Sequence, residues 1–351
     1  MKPELEKLCQ DFISNRDAVK EAFRWENDAL RTVCANIFCA RGETADAERL
    51  KECRRIIRDS TGFLSKFRSK KVRSILAAML FLEDKPEDRM TQANEYFHLL
   101  KRQFKGTEYL VLTAFLLADL ADQALTEEAI LRGKEIYARM NRQHRILTDK
   151  TDSVFAMLMA FSGKTADELT GETEACYQAL KKRFSAGGAQ TAAQVLSMAG
   201  GTPEEKTLRV TDLYDALHEA GIKYGHSSEL APLAALSLAV TPLSVLTEEI
   251  KEVDEFLEAQ KGFRGSKGSE RAQRAMCAVM IVSDQYAGTE QVNITVMTNT
   301  IDMLIAKQQA SRISFFMNLL QFAVKLLPEE EEQPVEEQPE GEQKQDDAPA
   351  E

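Results

Sequence analysis

Apolar and polar positions recur along the chain at helical spacing, and one segment returns about every forty residues. The stretch 95–104, EYFHLLKRQF, is echoed at 135–144 (EIYARMNRQH), 175–184 (ACYQALKKRF) and 212–221 (DLYDALHEAG), with weaker copies at 255–263 and 55–63. The aligned large residues Ile56, Phe97, Tyr137, Tyr177, Tyr214 and Phe256 stand 41, 40, 40, 37 and 42 positions apart. Seven residues after each comes Phe63, Phe104, His144, Phe184, Gly221 or Phe263, two helical turns on and therefore on the same face. A period of this length marks stacked supersecondary units.

Each copy is followed by a more apolar segment, such as 109–120 (YLVLTAFLLADL), 154–161 (VFAMLMAF) or 230–240 (LAPLAALSLAV). A helix that is apolar all round is buried, so the second helices line the inside of the stack and the amphipathic first helices its outside. Leu116, Leu158 and Leu236 are then core residues. Helix starts are marked independently: Thr202-Pro203-Glu204-Glu205 and Thr165-Ala166-Asp167-Glu168 are capping boxes, the first with a proline at the first helical position. No run alternates with period two, as a sheet would need.

The expected fold is all-α, an α-solenoid of about six helix-pair repeats of the HEAT or TPR kind. Residues 1–45 form an amino-terminal helical cap, 46–288 the repeat array, 289–328 a carboxyl-terminal helix and 329–351 an acidic tail. The cap consists of a helix over 5–23 and a partner over 25–40. The carboxyl-terminal helix either covers the last pair or meets a partner or membrane surface, although Arg312 and Lys325 give it little basic charge.

The 351 residues, 44% hydrophobic and 29% charged, have a globular composition. No uninterrupted apolar stretch is long enough to span a membrane, and Met1-Lys2-Pro3-Glu4 lacks the apolar run of a signal peptide. A cytoplasmic protein is expected. Six cysteines without a Cys-x-x-Cys pair point away from zinc fingers and thioredoxin chemistry and toward small buried apolar residues. The net charge is −11, and residues 329–351 hold eleven acids against Lys344 alone. The tail therefore carries ten of those negative charges, and the rest of the chain is nearly neutral. With Val335 as its one large apolar residue, the tail is predicted to be disordered.

Trp25-Glu26-Asn27, Arg49-Leu50-Lys51-Glu52-Cys53, Gly106-Thr107-Glu108-Tyr109-Leu110, Asp152-Ser153-Val154-Phe155 and Val253-Asp254-Glu255-Phe256-Leu257 together carry a resemblance. Over roughly residues 10–310 the chain resembles DUF4003, an uncharacterised family found mainly in Firmicutes. The resemblance implies a bacterial cytoplasmic origin and transfers no activity and no functional residues.

Candidate chemistry is sparse. The four histidines form no His-Glu-x-x-His or similar ligand spacing. One loop brings His144 near Asp149 and Asp152 in sequence, a possible metal or acid-base set, although a carboxylate before an apolar run also serves as a helix cap. The glycine-rich loop Gly262–Gly268 opens a helix with Arg271 and Arg274. Its last glycine precedes Ser269-Glu270 rather than Lys-Ser, so it is not a Walker A loop; backbone amides there can still receive an anion. Gly187-Gly188 is a weaker version, and both read first as tight inter-helix turns with glycines at positive φ. No catalytic elbow, kinase or dinucleotide fingerprint is present. No cofactor is indicated, and the enzyme alternative rests on the His144 and Gly262 loops.

Charge is more informative. The loops joining first to second helices carry Lys66, Arg68, Lys70, Lys71 and Arg73, then Arg102 and Lys105, Arg142 and Arg145, Lys181, Lys182 and Arg183, and Lys261, Arg264 and Lys267. The opposite turns carry acids such as Glu87, Asp88, Glu127, Glu128, Glu204 and Glu205. Helix dipoles account for such a pattern first, at about 0.3–1 kcal/mol per charge; a basic edge for an anionic partner is the alternative. The expected role is an interaction scaffold with a protein partner, an anionic segment being the fitting chemistry. Nucleic acid is disfavoured because the aromatics fall at packing positions rather than among the basic loops.

Overall fold

The computed structural model describes residues 1–287 apart from 27, 71, 121–126, 149–151, 161, 163, 228, 240 and 265–267. The expected carboxyl-terminal helix, the acidic tail, Asp149, Lys71 and Lys267 lie outside the described residues. The described chain is all helical: α1 Pro3–Ala22, α2 Asp28–Cys39, α3 Ala47–Asp59, α4 Arg73–Phe81, α5 Pro86–Leu100, α6 Glu108–Leu120, α7 Glu127–Gln143, α8 Asp152–Ala160, α9 Ala166–Leu180, α10 Ala186–Ser197, α11 Pro203–Glu219, α12 Leu230–Ser237, α13 Leu243–Ala259 and α14 Gly268–Ala287. A 3₁₀ turn, Lys66–Arg68, interrupts the α3–α4 connection. No helix among the described residues is long and apolar enough to cross a membrane.

Consecutive helices pack as pairs, from α1 with α2 to α13 with α14. Odd-numbered helices are amphipathic. In α7 the buried residues Ile130, Gly133, Ile136 and Met140 recur at intervals of three or four, so a single stripe meets the core. Even-numbered helices are more deeply buried: every residue of α8 and of α12 is buried, and α10 and α14 have exposed residues in their first turns, Ala186, Gly187 and Arg271. Leu158 and Leu236 are core residues as expected, whereas the side chain of Leu116 lies outside the described set. Both capping boxes form. Thr165 N donates to Glu168 at 2.7 Å and Glu168 N to Thr165 Oγ1 at 3.2 Å; the corresponding distances at Thr202 and Glu205 are 3.0 and 3.2 Å.

The array closes on itself. α1 packs on α13 and α14 as well as on α2 and α3, and α2 packs on α14 and α4. Arg16 donates to Lys261 O at 2.8 Å and lies 4.4 Å over the Phe263 ring, which in turn meets Phe12 at 6.4 Å between centroids. The Met1 amino group pairs with Glu252, and Lys2 with Glu249, both at 2.7 Å. The inner helices therefore bury themselves against one another. The loops at the two ends of the helices and the outer surfaces of the odd helices face solvent.

Where even helices end, cations from odd helices or from the loop before them donate to the terminal carbonyls. Arg49 donates to Glu83 O after α4 and Arg132 to Ser162 O after α8, each at 3.2 Å. Lys206 donates to Leu196 O at 2.7 Å and Lys164 to Ser197 O at 2.8 Å at the end of α10. Arg209 reaches Ser237 O, Ala239 O and Thr241 O after α12. The last carbonyls of a helix lack intrahelical partners and carry the negative end of its dipole. A charged donor from the neighbouring helix satisfies both and locks adjacent elements together.

Candidate interaction face

The odd-to-even loops lie at the other end of the helices, and they share one construction. A backbone amide donates to the carbonyl three residues before it, closing a β-turn. These bonds run from Glu26 to Phe23 (3.0 Å), Gln103 to Leu100 (2.9 Å), Leu147 to His144 (3.1 Å), Arg183 to Leu180 (3.0 Å), Gly221 to His218 (3.1 Å) and Phe263 to Gln260 (3.2 Å). In the longer α3–α4 loop the turn runs from Ser65 to Gly62 at 3.0 Å. The two middle residues of each turn form its tip. Around the face the tips are Arg24-Trp25, Phe63-Leu64, Lys101-Arg102, Arg145-Ile146, Lys181-Lys182, Glu219-Ala220 and Lys261-Gly262.

The residues flanking the tips are anchored, which makes the loops one continuous face. The residue seven after the repeat's large position bridges to the next pair: Phe104 meets Tyr137 at 6.0 Å, His144 meets Tyr177 at 4.3 Å, and Phe184 meets Tyr214 edge-on at 5.0 Å. Phe263 completes the series on Phe12. Phe63 breaks it. Its side chain is exposed, and Phe67 four residues later is fully buried against Phe97 and Phe115, because the 3₁₀ turn displaces the anchoring position. Gly221 carries no ring and takes φ +86°, ending α11. Polar links join the remaining neighbours: Ser74 donates to Glu26 at 2.8 Å, Lys66 pairs with Glu108 at 3.6 Å, and Ser185 contacts Ser227 at 3.4 Å.

Charge on this face is one-sided. The α3–α4, α5–α6, α9–α10 and α13–α14 loops contain cations and no acid. Not all of the predicted basic residues are available. Arg68 donates to Arg58 O, Thr61 O and Thr61 Oγ1 and braces its own loop. Arg264 donates to Ala259 O at the end of α13. Arg183 pairs with Asp215, holding that carboxyl below the usual carboxylate range, and its guanidinium lies 5.1 Å over Tyr214. Lys181 stands 5.2 Å over the Tyr177 ring. Lys70, Lys182 and Arg271 are exposed and make no ion pair among the described residues. The premise that aromatics avoid the basic loops is corrected here: Trp25 and Phe63 are 93% and 85% exposed, at turn tips among those cations.

A family model described as a protein of unknown function matches residues 15–310, which takes in nearly every helix of the array. The chain belongs to DUF4003. Neither a curated protein nor a solved structure matches it.

In this DUF4003 chain the two described members of the predicted metal set have other partners. His144 Nε2 lies 2.6 Å from Glu174. Burial opposes ionisation of Glu174, but hydrogen bonds from Gln178 and His144 outweigh it and hold the carboxyl below its ordinary value. Asp152 starts α8, is buried, and accepts from Gln194 at 2.6 Å and from Gln190 at 3.4 Å. Among the described residues no three His, Cys, Asp or Glu side chains converge as a metal site requires. Gly187 and Gly188 are not turn residues at positive φ: both lie in the first turn of α10. A Cβ at Gly188 would meet Ser227 O at 2.3 Å, so this glycine admits close approach of the α11–α12 loop. Gly262, at φ +93°, does take the expected conformation. All six cysteines are buried and free; burial pushes the Cys53 and Cys176 thiols up to about 11 and Cys9 and Cys277 to about 12, far from thiolate chemistry.

Proposed function

We propose that this protein is a helical-repeat binding scaffold, without catalysis of its own, that receives a protein or another anionic partner on the face formed by the odd-to-even loops. The observation that carries this reading is the asymmetry of cation use. Exposed Lys and Arg side chains crowd one set of turn tips, while near the opposite ends Arg49, Arg132, Lys164, Lys206 and Arg209 are engaged with helix carbonyls and Lys85 is exposed. Dipole complementarity explains a basic residue near a helix terminus, but it does not require four loops free of acids. Six buried free thiols suit the reducing bacterial cytoplasm, where we place the protein.

Heparin chromatography tests this reading. The full chain is expected to be retained at low salt, and Lys70→Glu combined with Lys181→Glu and Lys182→Glu is expected to elute markedly earlier. A chain ending at 328 should bind more tightly than the full chain, because a tail of net charge −10, tethered at an effective concentration on the order of millimolar, competes for the same cations. Identical elution of all three forms would refute the basic-face function.

A further inference from the structure

The turn tips carry a second pattern besides charge. Ile146 is 98% exposed, Trp25 93%, Leu64 89% and Phe63 85%. The other exposed large apolar residues among the described ones, Met1, Leu131 and Leu208, are 40–62% exposed and lie at the amino terminus and on the helices α7 and α11. Among the described residues the four most exposed large apolar side chains therefore fall on one face, at three of its turn tips, beside Arg24, Lys66 and Arg145.

Their exposure is built in rather than a consequence of loose loops. Phe23, at the base of the Trp25 turn, is buried, and Glu26 at its other end accepts from Ser74 and pairs with Arg54 and Arg73. The Phe63-Leu64 turn is clamped by Arg68 on the residues before it and by the buried ring of Phe67 after it. The Arg145-Ile146 turn is held by His144 on Glu174 and Tyr177. Each anchor is satisfied inside the protein while the tip is held out in water, where an apolar side chain gains nothing.

We propose that this face docks on a lipid bilayer carrying anionic phospholipid headgroups, with Trp25, Phe63, Leu64 and Ile146 entering the boundary between headgroups and acyl chains. The inference rests on the anionic-partner reading above and names the partner. Basic residues at a membrane surface are attracted to anionic lipid, and an indole is favoured at the headgroup level. A protein partner would need a pocket for each of three separate protruding tips, whereas a bilayer accepts them without shape complementarity. A single-stranded nucleic acid would stack on Trp25 and Phe63, but Leu64 and Ile146 have no π face and gain nothing from bases. A closed ring also presents its loops together on one side, as a planar surface demands.

Trp25 is the sole tryptophan of the chain, so its emission reports insertion directly. The full chain, mixed at low salt with vesicles of phosphatidylcholine and phosphatidylglycerol, is expected to float with the vesicles and to show a blue-shifted emission quenched by brominated lipid. Phosphatidylcholine alone should do neither. The variant Phe63→Ser, Leu64→Ser, Ile146→Ser should bind the mixed vesicles at least about 100-fold more weakly, because each of the three side chains loses the gain from leaving water even when it is only partly immersed, while its heparin elution and far-ultraviolet circular dichroism stay unchanged. Retention on heparin without binding to mixed vesicles would overturn the membrane inference and leave the anionic-partner reading standing. Failure on both surfaces would remove both. Vesicle binding with unshifted Trp25 emission, or a triple variant that binds equally well, would overturn insertion. Tighter binding of polyglutamate or an oligonucleotide than of the vesicles would reassign the face to a macromolecular partner.

Discussion

At the ends of the even helices, Arg49, Arg132, Lys206 and Arg209 point into the structure and donate to backbone carbonyls. On the face of the odd-to-even loops, Lys70, Lys182 and, in the first turn of α14, Arg271 are exposed with no ion pair among the described residues. The two faces of the same ring use the same residue types, yet substituting an engaged cation such as Arg209 is a change of stability and substituting a free one such as Lys182 a change of surface. What separates them is the presence or absence of an unsatisfied carbonyl within reach. Charge counted along the sequence does not distinguish a structural cation from an available one.

The sharpest break in this comparison lies beneath the basic tips. Phe184 is buried and packs edge-on against Tyr214, so Phe184→Ala is expected to cost about 3–5 kcal/mol, visible as a lower urea midpoint, although it adjoins the tip Lys181-Lys182. An unchanged midpoint would mean that the anchors under the tips are dispensable. Next comes Arg209→Met, which removes a charged donor from three carbonyls and is expected to cost about 2–3 kcal/mol. If Arg209→Met and Lys182→Met prove equally mild, the two faces do not differ in the way described.

Asp284 sharpens the comparison from the opposite side, as an acid near the end of α14 without a full set of partners. Asn36 donates to its Oδ1 at 3.5 Å, and its Oδ2 is buried with no hydrogen-bond partner among the described residues. Burial pushes the carboxyl well above its ordinary value, against a small opposing effect of Asn36. The folded state thus holds a proton that the unfolded chain releases near pH ~4, and the stability tied to that proton falls as pH rises from there toward the raised value. Asp284→Asn should raise stability at pH 7 by about 1–2 kcal/mol and change it little at pH 3. A variant less stable than the parent at pH 7 would show that the carboxylate is engaged. The smallest effect is expected at Lys182, where Lys182→Gln should alter the urea midpoint by no more than about 0.5 kcal/mol in stability while weakening retention on heparin.

Much of the helical framework was legible because it is local. Tyr137, Tyr177 and Tyr214 lie near the ends of α7, α9 and α11, as their spacing requires, and the two capping boxes formed where Thr165 and Thr202 stand. The candidate site was legible only in part. Arg68, Arg183 and Arg264 read as partner-binding cations but are engaged by Thr61, Asp215 and Ala259. Trp25, Phe63 and Ile146 escaped notice as site residues, because a large apolar residue beside a helix is ordinarily a core residue. The one available signal was their place at the two middle positions of a turn.

The sequence by itself determined the helices, their pairing and the division into amphipathic outer and apolar inner members, since 3.6-residue periodicity and capping chemistry act within a few residues of one another. Tertiary structure decided that α1 meets α13 and α14, that Phe67 rather than Phe63 fills the core, that Gly188 is needed beside Ser227, and which cations are left for a partner. Each of these depends on what lies alongside a side chain from a distant part of the chain. Arg16 and Lys261 are 245 positions apart in sequence and 2.8 Å apart in space, and no local pattern encodes that neighbour.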